Sequence, residues 1–378
     1  MRIIIGGDFC VTPEFLSNTF FNDDIIQLFN ASDFNLLNLE CPIVEHDKGK
    51  KILKTGPHLK TGEEIFQHLS SINIHAVTLA NNHILDFGVE GLKNTIERCR
   101  NRNILYVGAG LSIHEIEQPL IIEREGTRIG VINFCENEWS TLSSLNCGAN
   151  SMDIIDNVKQ IKKLREIVDL IIVIIHGGHE YYHLPSTRMV KQYRFYAENG
   201  ADIIVGHHSH CIGGYEVHQG KPIIFSLGNF LFTSDSNFDQ WYTGLLLSLV
   251  LENNKLVHWE LIPISQQRDS FSLHLLKGNQ RQSILDTIEN LKEIISDKES
   301  LAQEWEKYVL KNMDSYLQTF SPSNILGNRI INSLLRSLRL TRLFINPRQY
   351  KQILNRLRCE SHYDLSKSII EKYLIHDK

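Results

Sequence analysis

Residues 202–210 read DIIVGHHSH. A β-branched run ends there, without an intervening turn, in three histidines among four positions. The run has the composition of a buried strand, and imidazoles at a buried strand end need polar partners. In extended backbone His208 and His210 face the same side, so both reach one metal ion, with His207 beside them. The same construction recurs along the chain: RIIIGGDF ends in Asp8, FNLLNLE in Glu40, VTLANNH in Asn82 and His83, and LIIVIIHGG in His176. Strand ends on one edge of a sheet converge, so residues distant in sequence build one site. Carboxylate, amide oxygen and imidazole together suit borderline divalent cations such as Zn, Mn, Fe or Ni. Five such strand ends predict a polynuclear metal centre and metal-assisted hydrolysis.

Between these strands lie helical patterns. Strands are expected at 2–6, 34–39, 76–79, 105–107, 170–175 and 202–205, and helices at 22–30, 62–71, 89–101, 154–168 and 186–199. Hairpins are expected at 119–134, 216–226 and 244–263, the first around Glu125-Gly126-Thr127 and the last around Asn253-Asn254. Early parallel strands, later antiparallel ones and interleaved helices predict a mixed α/β (α+β) architecture of two packed sheets covered by helices. After about residue 266 only helices are read, at 280–297, 300–319, 324–343 and from Pro347 on. The expected division is 1–265 and a helical region 266–378.

Each candidate residue has a role suited to its chemistry. Asp8 ends the first strand as a ligand or as a turn carboxylate. Glu40 precedes Pro42, where a carboxylate bridges two cations. Asn82 offers an amide oxygen, which frees His83 as a general acid or anion binder. Asp86 either orients His83 or caps the helix that follows. Glu180, just after His176, is read as the acceptor that steadies a ligand histidine. Asn229 in SLGNFLF either orients a ligand or substrate or bonds its own turn.

Bulk properties narrow the classes. A net charge of −5 gives no overall drive toward nucleic acid. Seven cysteines without a CxxC pair fit free thiols in a reducing compartment. No apolar run approaches the ~20 residues of a membrane span, and MRIIIGGDF is too short for a secretory signal. A cytoplasmic protein is expected.

The strings GDF, NLECP, LANNHILDFG, HGGHEYY, GADIIVGHHSH and SLGNFLF, in this order over about residues 1–265, resemble the CapA family of capsule or poly-γ-glutamate biosynthesis proteins. That family lies within the calcineurin-like metallophosphoesterase superfamily. The resemblance implies a metallophosphatase-like four-layer αββα sandwich with two divalent metal ions (Mn, Fe or Zn). It implies Asp8, Glu40, Asn82, His176, His208 and His210 as ligands and His83 as the substrate-facing histidine. The wider superfamily opens with Asp-x-His, whereas Cys10 stands here two positions after Asp8.

Two functions follow as expectations. One is a hydrolase acting on a phosphoester or amide bond of an anionic, capsule-type polymer. The other is a non-catalytic, metal-containing polymer-binding or scaffold subunit of a synthesis complex. Between 329 and 358 the charges are all basic, from Arg329 through Arg358, with interleaved apolar residues. This stretch either rests on an anionic membrane or acidic partner or packs on the domain with a solvated basic face.

Overall fold

Ile3, Ile4 and Ile5 open the strand around which the larger sheet is built. The computed structural model describes residues 1–44, 50–124, 126–141, 146–320 and 347–376. The larger sheet runs in the order β16 (Leu273–Leu275), β15 (Lys255–Gln266), β14 (Thr243–Glu252), β1 (Arg2–Cys10), β2 (Phe34–Leu39), β3 (Ala76–Thr78) and β4 (Leu105–Val107). A further strand, β13 (Asn229–Phe232), pairs with the end of β1. The strands from β1 to β4 are parallel, and β14, β15 and β16 are antiparallel to their neighbours.

The second sheet runs β11 (Tyr215–His218), β12 (Lys221–Ile224), β10 (Ile203–His207), β9 (Leu170–His176), β7 (Thr127–Cys135) and β6 (Leu120–Arg124). A short ribbon, β5 (Ala109–Gly110) with β8 (Gly148–Ala149), completes the strands. The hairpin read near 119–134 is present as β6–β7. The first strand runs to Cys10, past the apolar triplet that marks it in sequence.

Side-chain alternation sorts the chain into layers. Ile3, Ile5 and Leu36 of one sheet share a buried cluster with Val131, Ile172, Ile174 and Val205 of the other. Ile4 faces the opposite way and packs with Phe29, Leu69, Leu92 and Ile96, which lie on helices Asp23–Asn30, Ile65–Ser71 and Gly88–Asn101. Ile171 and Val173 pack against Ile161, Leu164, Tyr193 and Tyr196, from helices Ile154–Arg165 and Thr187–Glu198. The result is a four-layer αββα sandwich. Each such isoleucine, fully buried, contributes roughly 1.5–3 kcal/mol.

Along β1 the period breaks where it matters most. From Ile5 to Asp8 is three residues, but their partners on β2, Leu36 and Asn38, are two apart. That extra residue reverses the alternation. Asp8 therefore shares the side of Ile5 instead of facing the helices with Ile4. Gly7 makes the turn possible, because a Cβ there would lie 1.9 Å from the Gly228 carbonyl oxygen.

Helices continue past the sandwich. Helix Gly278–Ser296 seats Ile288 between the sheets and Ile295 on the outer face of the second. Helices Lys298–Phe320 and Glu360–His376 join through Val309, Tyr316, Leu365 and Ile369. The helix read at 324–343 and the basic positions 329–346 lie outside the described residues. In helix Pro347–Arg358, Arg356 lies over the Tyr316 ring at 3.8 Å and Arg358 over Trp139 at 4.6 Å. Both basic groups are thus used in packing. Among the described residues no helix is long and apolar enough to cross a membrane.

Candidate metal centre

The strand ends β1, β2, β9 and β10 meet at one rim of the sandwich. Asp8 is fully buried there. Its Oδ1 accepts from Asn38 Nδ2 at 2.7 Å and its Oδ2 from the His208 backbone N–H at 3.0 Å. Imidazole nitrogens of His207, His210 and His176 stand 3.3, 3.6 and 3.8 Å from its carboxylate. Burial alone would raise this carboxyl. The contact with His207 and the nearby imidazoles outweigh burial and hold it well below the usual range.

Glu40 is the opposite case. It is 0% exposed, and among the described residues neither carboxylate oxygen has a hydrogen-bond partner. Burial, and then the charge of Asp8, push its carboxyl well above the usual range. Left alone such a carboxyl stays protonated; a cation would restore the carboxylate and occupy its four lone-pair sites. His176 Nε2 lies 3.5 Å and His210 Nε2 3.7 Å from the same Oε1. The donor atoms form two groups, Glu40–His176–His208 and Asp8–Glu40–His210, each within 4.8 Å. Glu40 belongs to both. The chemistry of this donor set fits divalent cations.

The grouping corrects the expectation that His208 and His210 reach one ion from extended backbone. The strand ends at His207. His208 (φ +87°) and His210 (φ +54°) are left-handed, a conformation that costs roughly 1–3 kcal/mol for such residues and persists only where contacts over-determine it. The two imidazoles consequently join different groups.

Neighbours set the nitrogen that each ring presents. Asn229 Nδ2 donates to the Trp241 carbonyl at 3.0 Å, so its Oδ1 is left for His210 Nδ1 at 2.9 Å. His210 then donates from Nδ1 and keeps the Nε2 lone pair toward Glu40. Asn229 therefore orients a donor histidine and does not close on its own turn. Burial, and then the neighbouring His208, hold His176 well below the usual imidazole range, in the neutral form a ligand requires. Asn82 Oδ1 lies 3.1 Å from His176 Nε2, and its Nδ2 donates to Glu138 Oε2 at 2.8 Å.

His83 stands beside this cluster. Its Nδ1 is 2.7 Å from Asp86 Oδ2 and 3.0 Å from Lys54 Nζ. Lys54 and Asp86 also form an ion pair, both side chains almost fully buried. Burial, and then the Lys54 charge, lower His83 below the usual range. The residue at the cap position of helix Gly88–Asn101 is Phe87, with no side-chain cap bond. Asp86 instead accepts from the Leu59 backbone N–H at 2.7 Å and holds His83. Glu180 is exposed, and among the described residues it hydrogen-bonds to none of the donor histidines.

Several further residues of the site lie outside the set expected from sequence. Asn38 is a polar residue two positions before Glu40 in a strand whose every residue is buried, so its signal was present. Glu136 and Glu138 follow the apolar strand β7 in the same strand-end pattern. Lys54 lies in a loop and carries no local signal.

The fold and the rim together define a two-sheet α/β sandwich with a carboxylate–imidazole donor cluster at its strand ends. The chain belongs to the bacterial capsule synthesis protein family PGA_cap, whose model matches residues 12–234. It is 30% identical over 240 residues to the PGA biosynthesis protein CapA of Bacillus subtilis (63% of this chain, 62% of that protein). It is 30% identical over 247 residues to the capsule biosynthesis protein CapA of Bacillus anthracis (63% of this chain, 59% of that protein). The matches thus span less than two thirds of these relatives. Among solved structures, the 5'-nucleotidase of Candida albicans aligns at a TM-score of 0.41 and 15% identity, over 80% of this chain and 57% of that one.

Proposed function

We propose that the chain is a metal-dependent hydrolase of the CapA type. It acts on a phosphoester or amide bond in the metabolism of a capsule or poly-γ-glutamate-type polymer. The observation that carries this reading is Glu40, a fully buried carboxylate with neither oxygen hydrogen-bonded among the described residues, common to two donor groups.

Asp8, Glu40, Asn82, His176, His208 and His210 would hold two divalent ions. Such a pair supplies charge stabilisation at the substrate's oxygens and an acidified water as nucleophile. The protein's own groups do the remainder. Asp86 engages His83 Nδ1, which leaves Nε2 as the atom that protonates the leaving group. The ring rests neutral, so it takes up this proton together with an anionic substrate, whose charge opposes that of Lys54. Burial of the surrounding side chains keeps bulk water from competing.

The test is a screen of phosphoesters and γ-glutamyl amides with Mn- or Zn-loaded protein. His83→Ala is expected to lower turnover about 10²–10⁴-fold, and unchanged turnover sinks the assignment of His83. One observation favours the scaffold reading. Cys10, where the superfamily has histidine, contacts Cys41 and belongs to neither donor group. Metal-dependent polymer binding without turnover of any substrate would select that reading.

A further inference from the structure

The C-terminal helices lie beyond residues 12–234, yet they close on residues 136–138 beside the donor cluster. Helices Pro347–Arg358 and Glu360–His376 adjoin at Cys359, and this junction grips residues 136–138 after β7. Ser361 donates from its backbone N–H to Glu136 Oε2 at 3.3 Å, and Glu360 accepts from the Asn137 backbone N–H at 2.8 Å. His362 Nε2 lies 3.2 Å from Glu138 Oε1, to which Asn355 Nδ2 also donates at 3.3 Å. The other Glu138 oxygen accepts from Asn82 Nδ2.

This last bond decides the chemistry of Asn82. A carboxylate only accepts, so it selects the NH₂ end of the amide and turns Oδ1 toward His176 and the donor cluster. Without Glu138 the amide is free to flip, and an NH₂ group aimed at a cation repels it. Glu138 is itself buried and needs donors for its second oxygen. His362 and Asn355 provide them, and Tyr316 Oη, 2.8 Å from His362 Nδ1, orients the ring. Glu138, Cys359 and His362 also lie close enough to suggest a separate cation site. Both Glu138 oxygens, however, already take hydrogen bonds, and Cys359 Sγ lies 3.6 Å from Glu136 Oε2. The cluster is already satisfied as a clamp.

We propose that the C-terminal helical segment is a working part of the metal centre: His362 is a positioning residue that, through Glu138, holds the Asn82 amide oxygen toward the cation site. This rests on the reading of the strand-end cluster as a two-metal centre, and it extends the site beyond the matched family region.

The experiment is a calorimetric titration of full-length protein with Co²⁺, in parallel with the visible absorption of the bound ion and without substrate. Wild type is expected to take about two ions. In His362→Ala one ion is expected to bind at least about tenfold more weakly, with an altered absorption band, while the other is retained. His362→Gln keeps a donor for Glu138 and should restore both affinity and band. Unchanged affinities and band in His362→Ala overturn the inference alone. Weakening of both ions with a lowered thermal midpoint, not rescued by glutamine, makes His362 merely structural and also overturns it. A wild type that takes no Co²⁺ overturns the two-metal reading and the inference with it.

Discussion

His176 Nε2 stands 3.5 Å from Glu40 Oε1, an oxygen that His210 approaches to 3.7 Å from the other donor group. Because Glu40 serves both groups, its loss differs in kind from the loss of either histidine. Glu40→Ala is expected to abolish binding of both ions, and His176→Ala and His210→Ala of one each, from about two per chain in wild type. Metal per chain, measured by mass spectrometry after supply of Mn²⁺, checks this. A Glu40→Ala protein that keeps one tightly held ion would contradict a shared ligand.

Lys54 and Asp86 form an ion pair inside the protein, with side chains 1% and 0% exposed. Removing one partner strands the other charge, which typically costs about 3–5 kcal/mol. Lys54→Met is expected to lose stability on that scale in urea unfolding. The double variant Lys54→Met/Asp86→Asn should recover part of it, because no charge is then left unpaired. Additive losses would show that the two residues act independently.

Gly7 packs backbone to backbone against Gly228, where a Cβ would lie 1.9 Å from the carbonyl oxygen. The atoms it would meet are all backbone, which cannot rotate aside as a side chain would. Gly7→Ala should therefore destabilise by about 2–3 kcal/mol or more. It should also lower metal content, since Asp8 is the next residue. A stable variant with full metal content would mean that β1 and β13 separate easily.

Glu360 offers a pH test in the clamp. Burial, and then the nearby charge of Glu136, raise its carboxyl from 4.5 to about 7. The folded protein thus holds this proton more tightly than the unfolded chain. The stabilisation is complete below about pH 4.5, declines as pH rises and is gone above about pH 7. Glu360→Gln cannot ionise, so its stability relative to wild type should rise between pH 5 and pH 8. The gain is of the order of 1–3 kcal/mol. A difference that stays constant across this range, in paired urea unfolding, would refute the assignment.

Much of the site was legible because its signals are local. An apolar β-branched run that ends in aspartate, glutamate or histidine stands out against the expected composition of a strand interior. Glu40, His176 and the 207–210 cluster were therefore visible without any knowledge of contacts. Asn38 and Glu138, polar residues within or just after apolar strands, carry the same kind of signal in weaker form. Lys54 was hidden because a loop lysine looks alike whether it is solvated or buried against Asp86.

The sequence by itself determined two packed sheets with helical covers and a metal-type cluster at their strand ends, since period-2 and period-3.6 patterns are properties of neighbouring residues. Only the tertiary structure decided the detailed assignment. The extra residue between Ile5 and Asp8 turns that aspartate toward the cluster, and left-handed backbone at His208 and His210 sends them to separate groups. Helices more than 200 residues further along the chain close on Glu138. These outcomes depend on which distant backbones meet and in what register, and no pattern within a single strand records that.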